Sequence, residues 1–207
     1  MTHKKITALI LAGGRGSRMG SVDKGLRLFN GKPMVAHVLD RLTAQVDESI
    51  ISANRNIDAY ATFGHRVLPD AIDGFAGPLA GLYTGMTHAT TPLIVAAPCD
   101  SPFLPLDLVA RLLAGMEAEN ADCAVAKTHT QSHPVFCLVK CGLASHLRDF
   151  LTSGQRKMDA WFSTLRVAEV AFDDQESAFA NINTEAELRA LEKSLSLSPS
   201  PSCSKMN

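Results

Sequence analysis

The feature that most constrains this chain is the run Ile6-Thr7-Ala8-Leu9-Ile10-Leu11, which stops abruptly at Ala12-Gly13-Gly14. It lacks the two-residue alternation of a half-exposed strand, and it is far too short for the roughly 20 apolar residues that span a bilayer. It reads as a strand buried on both faces, and such strands belong to parallel sheets covered by helices on each side. The rest of the chain has to supply those covers. With 46% hydrophobic and 20% charged residues in 207, there is enough apolar material to do so.

The pattern that follows fits this demand. Pro33 suits a first helical turn, with Met34, Val38, Leu39 and Leu42 at helical spacing. Residues 49–53 read as a strand, followed by a weak helix and a short strand at 66–68. Gly77-Pro78 precedes a helical stretch at 79–87. Residues 92–97 form another buried strand, closed by Pro98-Cys99-Asp100, and Pro105 opens a helix whose Leu108, Val109, Leu112 and Leu113 face inward. Strands are expected at 123–126 and 135–139, helices at 143–151 and 158–165, an extended segment at 167–172 and a final helix at 184–195. Strands alternating with helices predict an α/β chain with a mainly parallel sheet. Residues 1–193 are expected to form one domain, the N-terminal half binding one ligand and the C-terminal half another. The Ser- and Pro-rich stretch 194–207 lacks apolar periodicity and is expected to be disordered.

Several function classes are disfavoured. The formal net charge of −1 gives no support for a nucleic-acid or membrane surface. Five cysteines without a CxxC pair suit neither a disulfide scaffold nor a zinc site. No secretory signal is evident, and a cytoplasmic location is expected. Local charge tells more. Between Gly14 and Lys32 lie five basic residues (Arg15, Arg18, Lys24, Arg27, Lys32) against one acidic residue, Asp23. Glycines at the carboxyl end of a first strand let backbone N–H groups approach phosphate oxygens. Arg18 offers a planar fork and Lys24 a compact charge for the same oxygens. The loop is neither a Walker A motif nor a dinucleotide fingerprint, since Met19 stands where a third glycine is needed.

Leu11-Ala12-Gly13-Gly14, Arg18-Met19-Gly20 and Asp23-Lys24-Gly25-Leu26 together resemble the signature of the molybdenum cofactor guanylyltransferases, the MobA family of the nucleotidyltransferase superfamily. The resemblance extends over roughly residues 5–192. It implies a Rossmann-like, three-layer nucleotide-diphospho-sugar transferase fold.

Asp100 ends an apolar strand, and its tip faces the same edge as the glycine loop. One or two carboxylates plus substrate phosphates suffice for Mg²⁺. The resemblance carries the family's magnesium ligand to Asp100; a helix cap is the alternative use of such a residue. Asp70 resembles an aspartate that contacts the nucleotide, or is an ordinary turn residue. Ser52-Ala53-Asn54-Arg55 resembles the family's Asn-Ala-Asn-Arg, with serine in place of the first asparagine, so either Ser52 or Asn54 meets the base or ribose. Gly77-Pro78-Leu79-Ala80-Gly81 resembles a helix start on which a base can lie. The implied nucleotide contacts are Leu11, Ala12, Gly13, Gly14, Lys24, Ser52, Asn54, Asp70, Gly81 and Asp100. The implied catalytic groups are Arg18, Lys24 and Asp100.

On the acceptor side, His133 in His133-Pro134-Val135-Phe136 is either an acceptor contact or a structural histidine. Lys157 belongs to a short basic turn that either receives a phosphate or is solvated. Asn181 and Asn183 suit the donors and acceptors of a pterin edge, while Thr184 and Glu187 form a capping box. The resemblance implies an enzyme that uses Mg²⁺ and transfers GMP from GTP to the terminal phosphate of molybdenum-loaded molybdopterin. Other cofactor-biosynthesis proteins or apo-molybdoenzyme chaperones are the implied protein partners. A CTP-using or sugar-1-phosphate transferase is the alternative of the same class, and a non-catalytic nucleotide-binding regulator that of another class. Cytidylyl relatives tend to carry Ala-Ala-Gly where this chain has Ala12-Gly13-Gly14, which favours guanine.

Overall fold

A computed structural model describes residues 4–12, 23–72, 77–180, 182 and 187–189. The first strand, β1 (Ile6–Leu11), lies near the middle of a seven-stranded sheet. β2 (Leu28–Phe29) and β3 (Lys32–Pro33) form a separate small hairpin leading into α1 (Met34–Leu42). β4 (Glu48–Ser52), α2 (Ile57–Ala61), β5 (Arg66–Leu68), α3 (Pro78–His88), β6 (Leu93–Pro98) and α4 (Leu108–Ala118) follow. The C-terminal half contributes β7 (Cys123–Thr128), β8 (Gln131–Lys140), α5 (Ala144–Thr152), α6 (Met158–Phe162) and β9 (Val167–Ala171).

The order across the sheet is β5-β4-β1-β6-β8-β7-β9. Four pairings are parallel, and β8 alone runs against both its neighbours. The mainly parallel sheet expected from the sequence is therefore present.

Alternate residues of β1 explain the three layers. Ala8 and Ile10 pack with Val35, Val38, Leu39, Leu42, Leu108 and Leu112 on one face, which brings α1 and α4 there. Leu9 packs with Leu79, Leu82 and Met86 of α3 in the second cluster, which also takes in Leu147, Leu151 and Trp161 of α5 and α6. All of these side chains are essentially buried, each worth about 1.5–3 kcal/mol of transfer energy.

Three boundaries differ from the sequence reading. α4 begins at Leu108 rather than Pro105, because Pro105-Leu106-Asp107 make a turn closed by Leu108 N–H to the Pro105 carbonyl at 3.3 Å. α6 stops at Phe162, where Ser163 and Thr164 close the last turn. The strand expected at 135–139 is longer because β7 and β8 form one hairpin, turning at His129-Thr130 with His129 in the left-handed region at φ 48°. The register of this hairpin jumps: Val125 faces Cys137 but Ala126 faces His133. Pro134, Val135 and Phe136 bulge out of the pairing with β7, where a proline's missing N–H costs nothing. Of the helix expected at 184–195, residues 187–189 are described and are helical, while 194–207 lie outside the described residues.

Candidate active site

Parallel strands place their carboxyl ends on one edge, and β5, β4, β1 and β6 do so side by side. The chain continues each strand by one hydrogen bond before turning away. Ala12 N–H donates to the Ser52 carbonyl at 2.8 Å, Ala53 N–H to the Leu68 carbonyl at 3.0 Å, and Cys99 N–H to the Leu11 carbonyl at 3.1 Å. Leu11 and Ala12 are thus fixed at the edge, but the Ala12 N–H is committed to the sheet. Gly13, Gly14 and Arg18 lie outside the described residues, as do Asn181 and Asn183.

Asp100 follows β6 and is buried, with its side chain 11% exposed. Its carbonyl accepts from Ile182 N–H at 3.1 Å, which ties the segment between the two candidate asparagines to the same edge. The Lys24 ammonium, 30% exposed, lies 3.1 Å from the Asp100 carboxylate. These two residues are 76 positions apart in the chain, and the fold makes them an ion pair that opens toward solvent on the lysine side. Asp100 forms no part of a helix cap, since the next helix is capped at Asp107.

Lys24 starts a short 3-10 turn, Lys24–Leu26, on which the tight packing of Gly25 depends. A Cβ at Gly25 would stand 2.5 Å from the Tyr60 hydroxyl and 3.1 Å from the Cys99 sulfur. Burial and the nearby carboxylates of Asp100 and Asp23 push the Cys99 thiol well above its ordinary range, so it is a neutral packing group. The Tyr60 phenol is raised further still, by burial first and then by neighbouring Cys99 and Asp23, and it stays protonated.

A second polar group forms around Asp70, just past β5. Asn54 donates its amide to the Asp70 carboxylate at 2.7 Å, and its carbonyl accepts from Asp70 N–H at 2.8 Å. Ser52 Oγ donates to the other carboxylate oxygen at 3.3 Å. The two residues left open by the sequence now differ: Ser52 is buried, whereas Asn54 is exposed at the rim. Gly81 lies on top of Ser52, and a Cβ there would stand 2.6 Å from Leu11 Cδ2 and 2.7 Å from Ser52 Oγ. The small residue therefore lets α3 press its first turns onto β1 and β4. Thr84, one turn further along α3, accepts Ala71 N–H at 2.8 Å and holds the segment after Asp70 in place.

The acceptor-side candidates are less connected. His133 Nε2 is 2.7 Å from Thr128 Oγ1, and its ring stacks on Phe179 with centroids 4.7 Å apart and 21° between planes. Burial pushes its pKa down, so it is a neutral imidazole at pH 7. Lys157 is exposed at the start of α6 and shares no hydrogen bond with the other candidates among the described residues. Sequence reasoning missed Tyr60, Asn56, Thr84 and Phe179. The spacing Asn56-x3-Tyr60 across a helix start was the one available signal.

A lysine paired with a carboxylate on the carboxyl edge of a mainly parallel sheet, in a chain whose sequence carries a glycine-rich segment after the first strand, is an arrangement suited to phosphate-bearing ligands. Residues 8–170 match the MobA-like NTP transferase domain, and the chain belongs to that family. A molybdenum cofactor guanylyltransferase from Cupriavidus taiwanensis is 52% identical over 192 residues, covering 90% of this chain and 96% of that protein. Another protein of that name, from Bordetella petrii, is 51% identical over 190 residues, with coverage of 90% and 96%. Among solved structures, molybdopterin-guanine dinucleotide biosynthesis protein A from Archaeoglobus fulgidus shares the fold with a TM-score of 0.76 at 23% identity, over 92% of this chain and 98% of that one. The chain is a nucleotidyltransferase.

Proposed function

We propose that this enzyme transfers GMP from GTP to the terminal phosphate of molybdenum-loaded molybdopterin, forming the guanine dinucleotide form of the cofactor. The observation that carries the reading is the Lys24–Asp100 pair at the carboxyl edge, in a chain about half identical to guanylyltransferases over nearly its whole length. We assign the work to one domain spanning residues 1–193, in the cytoplasm.

The reaction needs little acid–base chemistry. An anionic oxygen of the acceptor phosphate attacks the α-phosphorus of GTP, forming a new P–O bond. The bond between the α-phosphorus and its bridging oxygen breaks, and pyrophosphate leaves with the electron pair. The acceptor is already charged, so catalysis rests on alignment and charge neutralisation. Lys24, partly exposed beside Asp100, is assigned to neutralise the reacting or leaving phosphates, with Arg18 joining it. Asn54 and Asp70 present donors and acceptors at the rim for base or ribose.

Asp100 suits Mg²⁺: it is one carboxylate at the site edge, and Mg²⁺ is usually held by one or two carboxylates with substrate phosphates completing the shell. Its partner in the fold is a cation, Lys24, which supports the reading that the carboxylate can be met by positive charge there. Bound at Asp100, Mg²⁺ would supply Lewis-acid neutralisation of the triphosphate. His133, neutral and fixed by Thr128 and Phe179, is assigned to the acceptor wall as a shape-giving and hydrogen-bonding group. Asn181, Asn183 and Lys157 complete that wall in the proposal.

The test is direct. Purified protein with GTP, Mg²⁺ and loaded molybdopterin should release pyrophosphate, and CTP should not replace GTP in turnover or in thermal stabilisation. Equal or better use of CTP would overturn the guanine assignment, and GTP binding without pyrophosphate release would make the protein a binder.

A further inference from the structure

We propose that Tyr60 is a positioning residue for this transfer, fixing Lys24 through the Asp23 carboxylate. The inference rests on the role given to Lys24 above, and it comes from the contacts of the two residues that flank it.

Asp23 precedes Lys24 and caps the turn: its Oδ1 accepts Gly25 N–H at 3.2 Å. The same oxygen accepts the Tyr60 hydroxyl at 2.5 Å. Its second oxygen accepts the Asn56 amide at 3.1 Å. Both carboxylate oxygens are thus engaged within the protein, and Asp23 acts as a strut between the Lys24 turn and α2. On the other side of Lys24, Gly25 rests against the Tyr60 hydroxyl and Cys99, at distances that leave no room for a side chain. Cys99 is the residue before Asp100. One phenol therefore touches the residue before Lys24 and the residue after it, and abuts the strand end that carries Asp100.

Tyr60 is suited to the task. Its ring is wholly buried in the core of the α1/α4 face, so it does not move with solvent. Its hydroxyl is a permanent donor, because the phenol does not ionise there. Asn56 adopts φ 52° at the start of α2, a left-handed conformation that asparagine tolerates, and this turns its amide toward Asp23 instead of capping its own helix. The lysine chain itself has four rotatable bonds, so its ammonium is aimed only as well as its Cα is held. A displacement of about 1 Å at a reacting centre can cost about 100-fold in rate.

The experiment uses the full chain in steady-state pyrophosphate release with saturating acceptor, at enzyme concentrations high enough that slow variants remain measurable. Tyr60→Phe removes the hydroxyl and keeps the ring. It should lower kcat about tenfold and change the KM for GTP less than about threefold, as expected when an interaction expressed in the transition state is loosened. A merely structural residue would lower the two independently of Lys24, so the deciding measurement is a cycle with Lys24→Ala. In that background Tyr60→Phe should cost less than about twofold, because its effect passes through the absent lysine. Asn56→Gly, which tolerates the left-handed backbone and withdraws another donor from Asp23, should show the same dependence on Lys24 and serves if Tyr60→Phe does not fold. Full activity in Tyr60→Phe, or undiminished losses in the Lys24→Ala background, would overturn the proposal. Absence of pyrophosphate release in the wild-type protein would instead overturn the functional reading on which it rests.

Discussion

The two halves of the ligand edge are built differently. Around β5, β4, β1 and β6, three aspartates are each held by named donors: Asp100 by Lys24, Asp70 by Asn54 and Ser52, and Asp23 by Tyr60, Asn56 and Gly25. Around β8 and β7 the edge is aromatic. His133, Phe136, Phe172 and Phe179 pack ring on ring, and His133 meets Thr128 at 2.7 Å. Parallel strands deliver their ends together, so several polar groups can converge on a charged ligand. The antiparallel hairpin delivers a bulge and a buried aromatic cluster, with His133 half-buried at its rim. Converging polar groups and packed aromatic rings are thus separated along one sheet.

If the separation holds, substitutions in the two halves should fall on different kinetic parameters. The largest effect is expected for Asp100→Asn, which keeps the shape and removes the charge. It should lower kcat for pyrophosphate release by about 10³-fold or more, the range for losing a principal electrostatic group, and raising Mg²⁺ should not restore it. Near-normal turnover would mean that the metal is held elsewhere.

His133→Ala should raise the KM for the molybdopterin acceptor about tenfold and leave GTP binding, read by calorimetry, within about twofold; the group contributes one hydrogen bond and one stacked face. Equal losses for both ligands would dissolve the division between halves. The pH profile sharpens the same point. Burial holds His133 below its ordinary value, so the acceptor KM should be flat from pH 7 upward and worsen only on the acid side, as the ring takes a proton that its stacking on Phe179 disfavours.

Gly81→Ala tests packing in the first half. The added methyl meets Leu11 and Ser52 at 2.6 and 2.7 Å, and overpacking of that kind costs about 1–3 kcal/mol. Tm should fall by about 2–4 °C per kcal/mol, and the KM for GTP should rise as α3 lifts from Ser52. An unchanged Tm would show that α3 yields easily.

The smallest effect is expected at the edge opposite the site. Asp122 is held far below the usual carboxylate range by Arg166 and then by Lys140. A depressed carboxylate contributes stability above its unfolded value of about 3.9 and loses it as pH falls toward the folded value. Asp122→Asn should therefore lower the urea midpoint modestly at pH 7, with the gap to wild type closing below about pH 3, and leave both substrates' KM values alone. A gap that persists in acid would mean packing, not charge, is lost.

Much of this was legible in the chain. The largely apolar run of β1, broken only by Thr7, pointed to a covered parallel sheet, because a strand buried on both faces needs covers on each side. Helical spacing after Pro33 and around Leu108 gave the covers, and Lys24 and Asp100, both singled out in the sequence, meet as an ion pair at the carboxyl edge. The hairpin of β7 and β8 was read as two separate strands, because its turn at His129-Thr130 lacks glycine and its register breaks at Pro134. The strut through Asp23 was barely legible, the Asn56-x3-Tyr60 spacing being its one local trace. Nothing local in Asp23, Asn56 or Tyr60 requires them to meet, since their hydrogen bonds depend on the alignment of β1 with β4, where Thr7 meets Glu48, and with the still more distant β6, where Ile6 meets Leu93. Sequence periodicity determines which residues face the core; which polar groups then share an atom depends on distances that only the assembled sheet sets.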